Sequence, residues 1–532
     1  MDEKRKVVRM SYFGDLEETV GNVFVTENGA LGFKTTNNPI LDLNFKVASL
    51  RSLSDTQLDS LCQEYIDTIY TPANGNPVTD EQKKYFIKWL FYLRDVRGGL
   101  GERRSFRAFF KNKVLAQILG QSVKTEKSES LKESATKILG LIPEYGRWDD
   151  VVALTDKTFL QEAATKMLFD QINSDIGSTH PSLLAKWMPS TNASSKKSRL
   201  IALKLCKEWG WTERQYRKTM SGLRQRIGIV ETAMSQNQWG EINYERVPSK
   251  ANVLYKDAFK KHDEERREQF LEQVESGEKK INSGTNFPHD IVAKYGLTSY
   301  RSSEKDATLE ALWKALPDMK IDKPFIVVAD GSGSMTSHIG KTNTSALDVA
   351  NAISIYFSER LSGEFKNKYI TFSGHPQFVD LSKAKTLRDK ILEALKHDEC
   401  ANTNIEAVFE LLLSVAVKKE YKQEEIPNVL IISDMEFDDA TSVGWGEHIK
   451  PKLFQTIEKK WKDKGYELPK LVFWNVDSST GTIPMKENEH GVTLVSGFSQ
   501  NIIKTVMSGK LDPWEALKET LDGERYSQVP YL

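Results

Sequence analysis

A chain of 532 residues is longer than one hydrophobic core usually serves, so two or more domains are expected. Hydrophobic residues at 39% and charged residues at 28% are the proportions of a soluble globular protein, and no apolar stretch reaches membrane-spanning length. The net charge of zero hides a division: residues 321–532 carry 25 Lys+Arg against 31 Asp+Glu, which leaves 49 against 43 for residues 1–320.

The opening MDEKRKVVRM is charged and lacks the apolar core of a signal peptide. Three cysteines, at 62, 206 and 400, are too few and too scattered for a disulfide framework or a zinc site. Both features predict a reducing, cytoplasmic setting. Residues 1–45 hold short β-like stretches such as NVFVTENGALGF, expected to pack on the rest.

From 46 to 310 the pattern is helical. QKKYFIKWLFYLRDVR has apolar residues at helical spacing and stops at Gly98-Gly99. A series of medium helices with short connections predicts a HEAT-like α-solenoid, although no fixed-period repeat is visible. The loop RDVRGGLGERR offers glycines flanked by Arg94, Arg97, Arg103 and Arg104. It lacks the preceding strand and following Lys-Ser/Thr of a nucleotide-binding loop, so it reads as a helix connection with arginines able to touch phosphate. In EYGRWDD, Arg147, Asp149 and Asp150 read as a helix cap and an interhelix ion pair rather than a catalytic pair.

The basicity of this half is concentrated. Residues 196–226 contain Lys196, Lys197, Arg199, Lys204, Lys207, Arg214, Arg217, Lys218, Arg224 and Arg226 against only Glu208 and Glu213. Such a local excess is a candidate anion-binding surface, with a solvated helical face as the alternative. Trp209, Trp211 and Tyr216 lie nearby and could stack on bases, but for each one core packing is the better reading.

From 321 the pattern switches to strand–helix alternation. Strands are read near 325–329, 369–373, 428–433, 471–476 and 492–496, with an antiparallel edge strand near 377–381. Helices are read near 346–360, 387–396, 404–418, 449–464 and 499–507. This predicts a doubly wound, Rossmann-like sheet over 321–509, followed by an amphipathic tail, 510–532, that packs back on the helical part. The fold class is therefore α followed by α/β.

The apolar run Phe325-Ile326-Val327-Val328-Ala329 leads into Asp330, Ser332 and Ser334. Open α/β sheets place ligands at the carboxyl ends of their strands. One carboxylate and two hydroxyls there are hard oxygen donors, suited to Mg²⁺ or Mn²⁺. Gly331 and Gly333 are expected to let the backbone turn so that both hydroxyls face one point. Thr403, at the mouth of an apolar helix, and Asp434, after the strand NVLIIS, reach the same rim in a parallel sheet. His338 and His375 lie in loops and read as solvated. Hydroxyl and carboxylate donors without a placed general base suit binding rather than hydrolysis, so no catalytic residue and no enzyme is predicted.

Asp330, Ser332, Ser334, Thr403 and Asp434 together resemble the metal-ion-dependent adhesion site of a von Willebrand factor A domain. The resemblance implies that Ser332, Ser334 and Thr403 touch the metal, while the aspartates act through waters or hydroxyl hydrogen bonds. The blocks LRDVRGGLGERRSF (93–106), IPEYGRWDDVV (142–152), LLAKWMPS (183–190) and KSRLIALKLCKEWGWTERQYRKTMSGLRQRIGIVETAMS (197–235) resemble the TROVE module of Ro-type RNA-binding proteins. They are closer still to a TROVE-like relative family with the same pairing of modules. The resemblance implies a small non-coding or misfolded RNA as one partner and a protein carboxylate as the other, with no membrane role. The alternatives are a protein-assembly factor that binds no RNA and a metal-dependent enzyme acting on RNA.

Overall fold

The structure, a computed structural model, describes residues 36–70, 80–124, 129–295, 304–397, 404–434, 451–476, 492–503 and 512–530 except positions 37, 157, 320, 322, 323, 341, 343 and 374, together with the backbone of 23–25 and 31–33. The chain forms two compact units. One, an α/β unit, joins Met1–Ser52, Phe287–Asp306 and Leu316–Thr520; the other, helical, joins Leu53–Asn286, Ala307–Ala315 and Leu521–Leu532. The boundaries read from sequence, 46, 310 and 510, lie elsewhere. A switch of periodicity marks where strands begin, whereas a unit is set by where distant segments bury their side chains.

In the α/β unit a hairpin pairs β1 (Val23–Val25) with β2 (Leu31–Phe33). The main sheet contains β3 (Phe325–Asp330), β4 (Lys368–Phe372), β5 (Phe378–Asp380), β6 (Asn428–Ser433), β7 (Leu471–Asn475) and β8 (Val492–Ser496). Its order is β5-β4-β3-β6-β7-β8, parallel except for β5, which pairs antiparallel with β4 at the edge. All six residues of β3 are buried, which explains its unbroken apolar run: both faces of a parallel sheet are covered. On one face Ile326, Val328, Ile431 and Phe473 pack with Val408, Phe409 and Leu412 of the Ile405–Lys419 helix and with Ile457 and Trp461 of the Pro451–Asp463 helix. The Ala346–Ser358 helix packs on β3, β4 and β6, and its Phe357 ring lies 5.8 Å from that of Trp474.

Within the segment expected to be β-like, residues Pro39–Phe45 form a buried helix. Asn38 caps it, its side chain accepting from the amides of Ile40 and Leu41 at 3.1 and 3.2 Å, and Pro39 presets the first turn. This helix packs on β8. The chain then runs on, with the Ala48 amide donating to Ser496 Oγ at 3.0 Å and the Arg51 guanidinium 3.9 Å above the Phe498 ring. Gly340 has φ +56°, and a Cβ there would stand 2.5 Å from the Arg51 carbonyl oxygen, so this contact requires glycine.

The helical unit has an aromatic centre. Phe86, Trp89 and Phe109 meet edge-on or stacked at 5.9–6.3 Å, and Phe91 contacts Phe106, Phe110 and Tyr145. The glycine-rich loop after the Asp80–Arg94 helix is a structural turn. Buried Asp95 accepts from the amides of Arg97 and Gly98 at 3.0 and 3.1 Å. A Cβ on Gly99 would fall 2.0 Å from the Tyr92 carbonyl oxygen. Arg94, Arg103 and Arg104 of this loop pair with Asp150, Asp149 and Asp55 in turn.

Asp95 also holds the C-terminal segment of the same unit. Arg525 Nη2 donates to it at 2.7 Å and Tyr526 Oη at 3.1 Å, while the Tyr526 ring stacks 5.7 Å from Tyr145. Burial and the adjacent Asp95 carboxylate push the Tyr526 phenol well above its ordinary pKa, so it stays a donor. The tail is thus divided: residues from Leu521 onward belong to the helical unit, those up to Thr520 to the α/β unit. Asp95→Ala should remove roughly 2–3 kcal/mol from the helical unit. Hydrogen exchange is the check, with 521–530 exchanging faster in the variant; unchanged exchange there would show that Asp95 does not hold the segment.

Candidate functional site

β3 ends at Asp330, and β6, its parallel neighbour, ends at Ser433 followed by Asp434. The register pairs Ala329 with Ile432, so the next residues of the two strands lie side by side. Ser433 Oγ donates to Asp330 Oδ2 at 2.6 Å, and the Ser332 amide donates to Asp330 Oδ1 at 2.9 Å. Ser332 then caps the short turn Gly333–Thr336, which brings its hydroxyl to 3.0 Å from that of Ser334. Asp330 and Asp434 are 1% and 3% exposed, whereas Ser332 and Ser334 are half-buried. The carboxylates are withdrawn and the hydroxyls face outward.

The turn does not depend on a left-handed glycine. The φ of Gly333 is not positive, and a Cβ there would meet nothing within 4 Å, so the expected steric need for glycine at 333 is not found. Thr403 lies outside the described residues, as do the acidic Glu436, Asp438 and Asp439. Among the described residues no group of three His, Cys, Asp or Glu is placed to hold a metal, so any cation at this rim depends on the serine hydroxyls. As a donor set the cluster fits a hard cation: two buried carboxylates and two adjacent hydroxyls, all oxygen. His338 and His375 are exposed.

Ser433 escaped the sequence reading because it looked like the last residue of a strand; its position directly before Asp434 was the available signal. The polar row continues outward. Asn475 of β7 pairs in register with Ser433 and with Ser496 of β8. Asn475 Oδ1 is buried and has no hydrogen-bond partner among the described residues.

The basic segment occupies the helices Lys196–Glu208 and Glu213–Ile227. Lys196, Lys197, Arg199, Lys207, Arg214, Arg217, Lys218 and Arg226 are exposed there. Lys204 and Arg224 are half-buried and turned to backbone carbonyls. Lys204 Nζ donates to the Thr155 carbonyl at 2.8 Å, and Arg224 donates to the carbonyls of Ala185 and Met188, both at 2.8 Å. They satisfy carbonyls left open where the preceding chain turns, which a charge run in sequence cannot reveal. Burial lowers the Arg224 pKa. Arg217 pairs with Glu213 at 3.4 Å, and Arg226 donates to the Ile176 carbonyl at 3.2 Å. The aromatics are packing residues: Trp209 stacks against Tyr216 at 6.2 Å, and Tyr216 Oη donates to the Pro189 carbonyl at 2.7 Å.

The Arg147 loop is an ion-pair centre. The Arg147 amide donates to Asp150 Oδ2 at 2.9 Å, capping the Trp148–Val152 helix as expected. Asp150 also pairs with Arg94 at 2.9 Å and Arg107 at 2.6 Å. Burial works against the Arg107 charge, but the adjacent Asp150 and Asp149 outweigh it and hold the guanidinium protonated.

Comparison with known proteins adds the following. Residues 325–528 match the model of a domain of unknown function, DUF7788, and residues 149–320 match that of another, DUF2828. The chain is similar to uncharacterized protein L728 of Acanthamoeba polyphaga mimivirus, 26% identical over 546 residues that cover 94% of this chain and 88% of that protein. Among solved structures it is similar to the Ro (RSR) protein of Deinococcus radiodurans, with a TM-score of 0.41 and 10% identity, covering 90% of this chain and 100% of that one.

Arg224→Ala should leave two carbonyls without their donor and cost roughly 1–3 kcal/mol. Urea denaturation measures it; a stability equal to that of Lys218→Ala, which removes an exposed charge, would contradict the structural role of Arg224.

Proposed function

We propose that the chain is a two-unit binding scaffold. The α/β unit takes Mg²⁺ or Mn²⁺ at Asp330, Ser332, Ser334 and Asp434, with Thr403 as a further donor, and through that cation grips a carboxylate on a protein partner. The helical unit, a HEAT-like array in this reading, binds small non-coding or misfolded RNA.

The observation that carries the metal reading is the pair of half-buried hydroxyls 3.0 Å apart beside Asp330 and Asp434, each at least 97% buried. A cation held there supplies positive charge to an incoming carboxylate. The chain's own residues do the positioning. Ser433 and the Ser332 amide fix both oxygens of Asp330, and the turn Gly333–Thr336 aims the two hydroxyls. These donors, with Thr403 among them, still leave room in an octahedral shell for water or a partner. These groups are acceptors and weak donors with no placed base among them, so the reading is of binding, not catalysis. The RNA reading is supported by the eight exposed Lys and Arg of two adjacent helices and by the resemblance of the sequence blocks to TROVE modules. The buried thiols of Cys62 and Cys206 agree with a reducing cytoplasm.

Asp330→Asn keeps the shape and can still accept from Ser332 and donate to Ser433. It should weaken Mn²⁺ binding, followed by calorimetry, at least thirtyfold while the circular dichroism stays unchanged. Undiminished affinity would remove the site.

Lys207→Glu, Arg214→Glu and Lys218→Glu together should weaken binding to single-stranded RNA irrespective of sequence. They should also reduce the slope of log affinity against log salt by about 2, from three lost phosphate contacts. Chelation of divalent cations should leave the wild-type RNA affinity within a few-fold, because the two activities sit on different units. A triple variant with wild-type affinity and slope would place RNA elsewhere or nowhere.

A further inference from the structure

The helix Arg103–Lys111 carries a basic stripe of its own. Arg103, Arg107 and Lys111 are spaced by four, so they share one face and span about 12 Å. At one end the stripe enters the ion-pair centre. Arg147 grips Asp149 with two bonds at 3.1 and 3.0 Å, Arg107 reaches the same carboxylate at 2.8 Å, and Arg103 stands 3.8 Å away. With Arg94 on Asp150, four guanidiniums share two carboxylates, an excess of two positive charges. The carboxylates lie inward, with side chains 21% and 0% exposed, while Arg103, Arg147 and Arg107 are 51%, 31% and 25% exposed. The excess charge therefore faces out.

At the other end Lys111 is half-buried, and burial lowers its pKa. The positive charges of Lys197 and Arg107 lower it further, against the opposing pull of Asp156 and Asp59. Lys197 is exposed at the start of the Lys196–Glu208 helix, and its charge acts on Lys111. Beside the stripe the Arg147 guanidinium lies 4.0 Å over the indole of Trp187. That contact fixes the plane of an otherwise flexible side chain, which preorganises it for stacking.

A single phosphate needs a pocket; this is a line of cations with a flat, rigidified guanidinium at its side. We infer that the stripe is a track for the backbone of single-stranded RNA: Arg103, Arg107, Lys111 and Lys197 take phosphates, and Arg147, backed by Trp187, stacks on an unpaired base. The inference rests on the RNA reading above and assigns it a path in which Arg103, Arg107, Lys111 and Arg147 lie outside the charge-dense segment 196–226.

The test is fluorescence anisotropy with a labelled single-stranded RNA of about ten nucleotides, using the full chain. Arg103→Gln with Lys197→Gln should weaken binding about tenfold and lower the salt slope by about 1.4, for two phosphates lost. Lys260→Gln with Lys261→Gln, an equal charge change at exposed positions of the Lys256–His262 helix, should do neither. Arg147→Lys keeps the charge and should lower affinity with the slope unchanged. Equal losses in the two double variants, no loss in the first, or competition by millimolar inorganic phosphate at constant ionic strength would each overturn the track. Wild-type protein that binds no RNA would instead overturn the underlying reading, and the track with it.

Discussion

The carboxylate of Asp330 is the constraint on which the α/β unit's site depends. It sits at the end of an interior strand and is 1% exposed. A carboxylate so placed is costly unless its oxygens are hydrogen-bonded or its charge is offset. The Ser433 hydroxyl and the Ser332 amide take one oxygen each, and in doing so they lock β6 to β3 and draw the following turn against the sheet. The turn then has one way to run, and Ser332 and Ser334 meet. Asp434, also withdrawn, brings a second carboxylate to the same rim. The rim thus gathers buried carboxylates and half-buried hydroxyls, all hard oxygen donors of the kind the proposed cation would need.

The helical unit answers the same problem in another way. Asp95, Asp149 and Asp150 are withdrawn carboxylates, each paired with arginine. Asp95 ties in the segment that begins at Leu521, and Asp150 joins the helices Asp80–Arg94, Arg103–Lys111 and Trp148–Val152. Because guanidiniums outnumber carboxylates around Asp149 and Asp150, the network that holds these helices together also leaves positive charge at the surface. A structural core and the proposed anion-binding face then share residues.

Much of this was legible in the sequence where local pattern decides the outcome. β3 and β6 are unbroken apolar runs because both faces of the sheet are covered, and the residues that end them fall on the rim for the same reason. The edge strand Phe378–Asp380 and the cap at Asp150 are local as well. What escaped depends on distant partners. The assignment of 287–306 to one unit and 521–532 to the other is settled by burial against residues hundreds of positions away. Lys204 and Arg224 read as surface charge because nothing in their neighbourhood announces the carbonyls of Thr155, Ala185 and Met188. Arg103 and Arg147 were visible as motif residues, but their convergence with Arg107 on Asp149 appears only once two helices are packed.

The central claim is that the rim of β3 and β6 is built to hold a divalent cation through serine hydroxyls. Anomalous diffraction from crystals soaked in millimolar Mn²⁺ addresses it without reference to any partner. The account predicts a manganese peak about 2.0–2.3 Å from the hydroxyl oxygens of both Ser332 and Ser334, with Asp330 and Asp434 around it. Crystals that bind manganese only elsewhere, or leave this rim without a peak at that concentration, would contradict it.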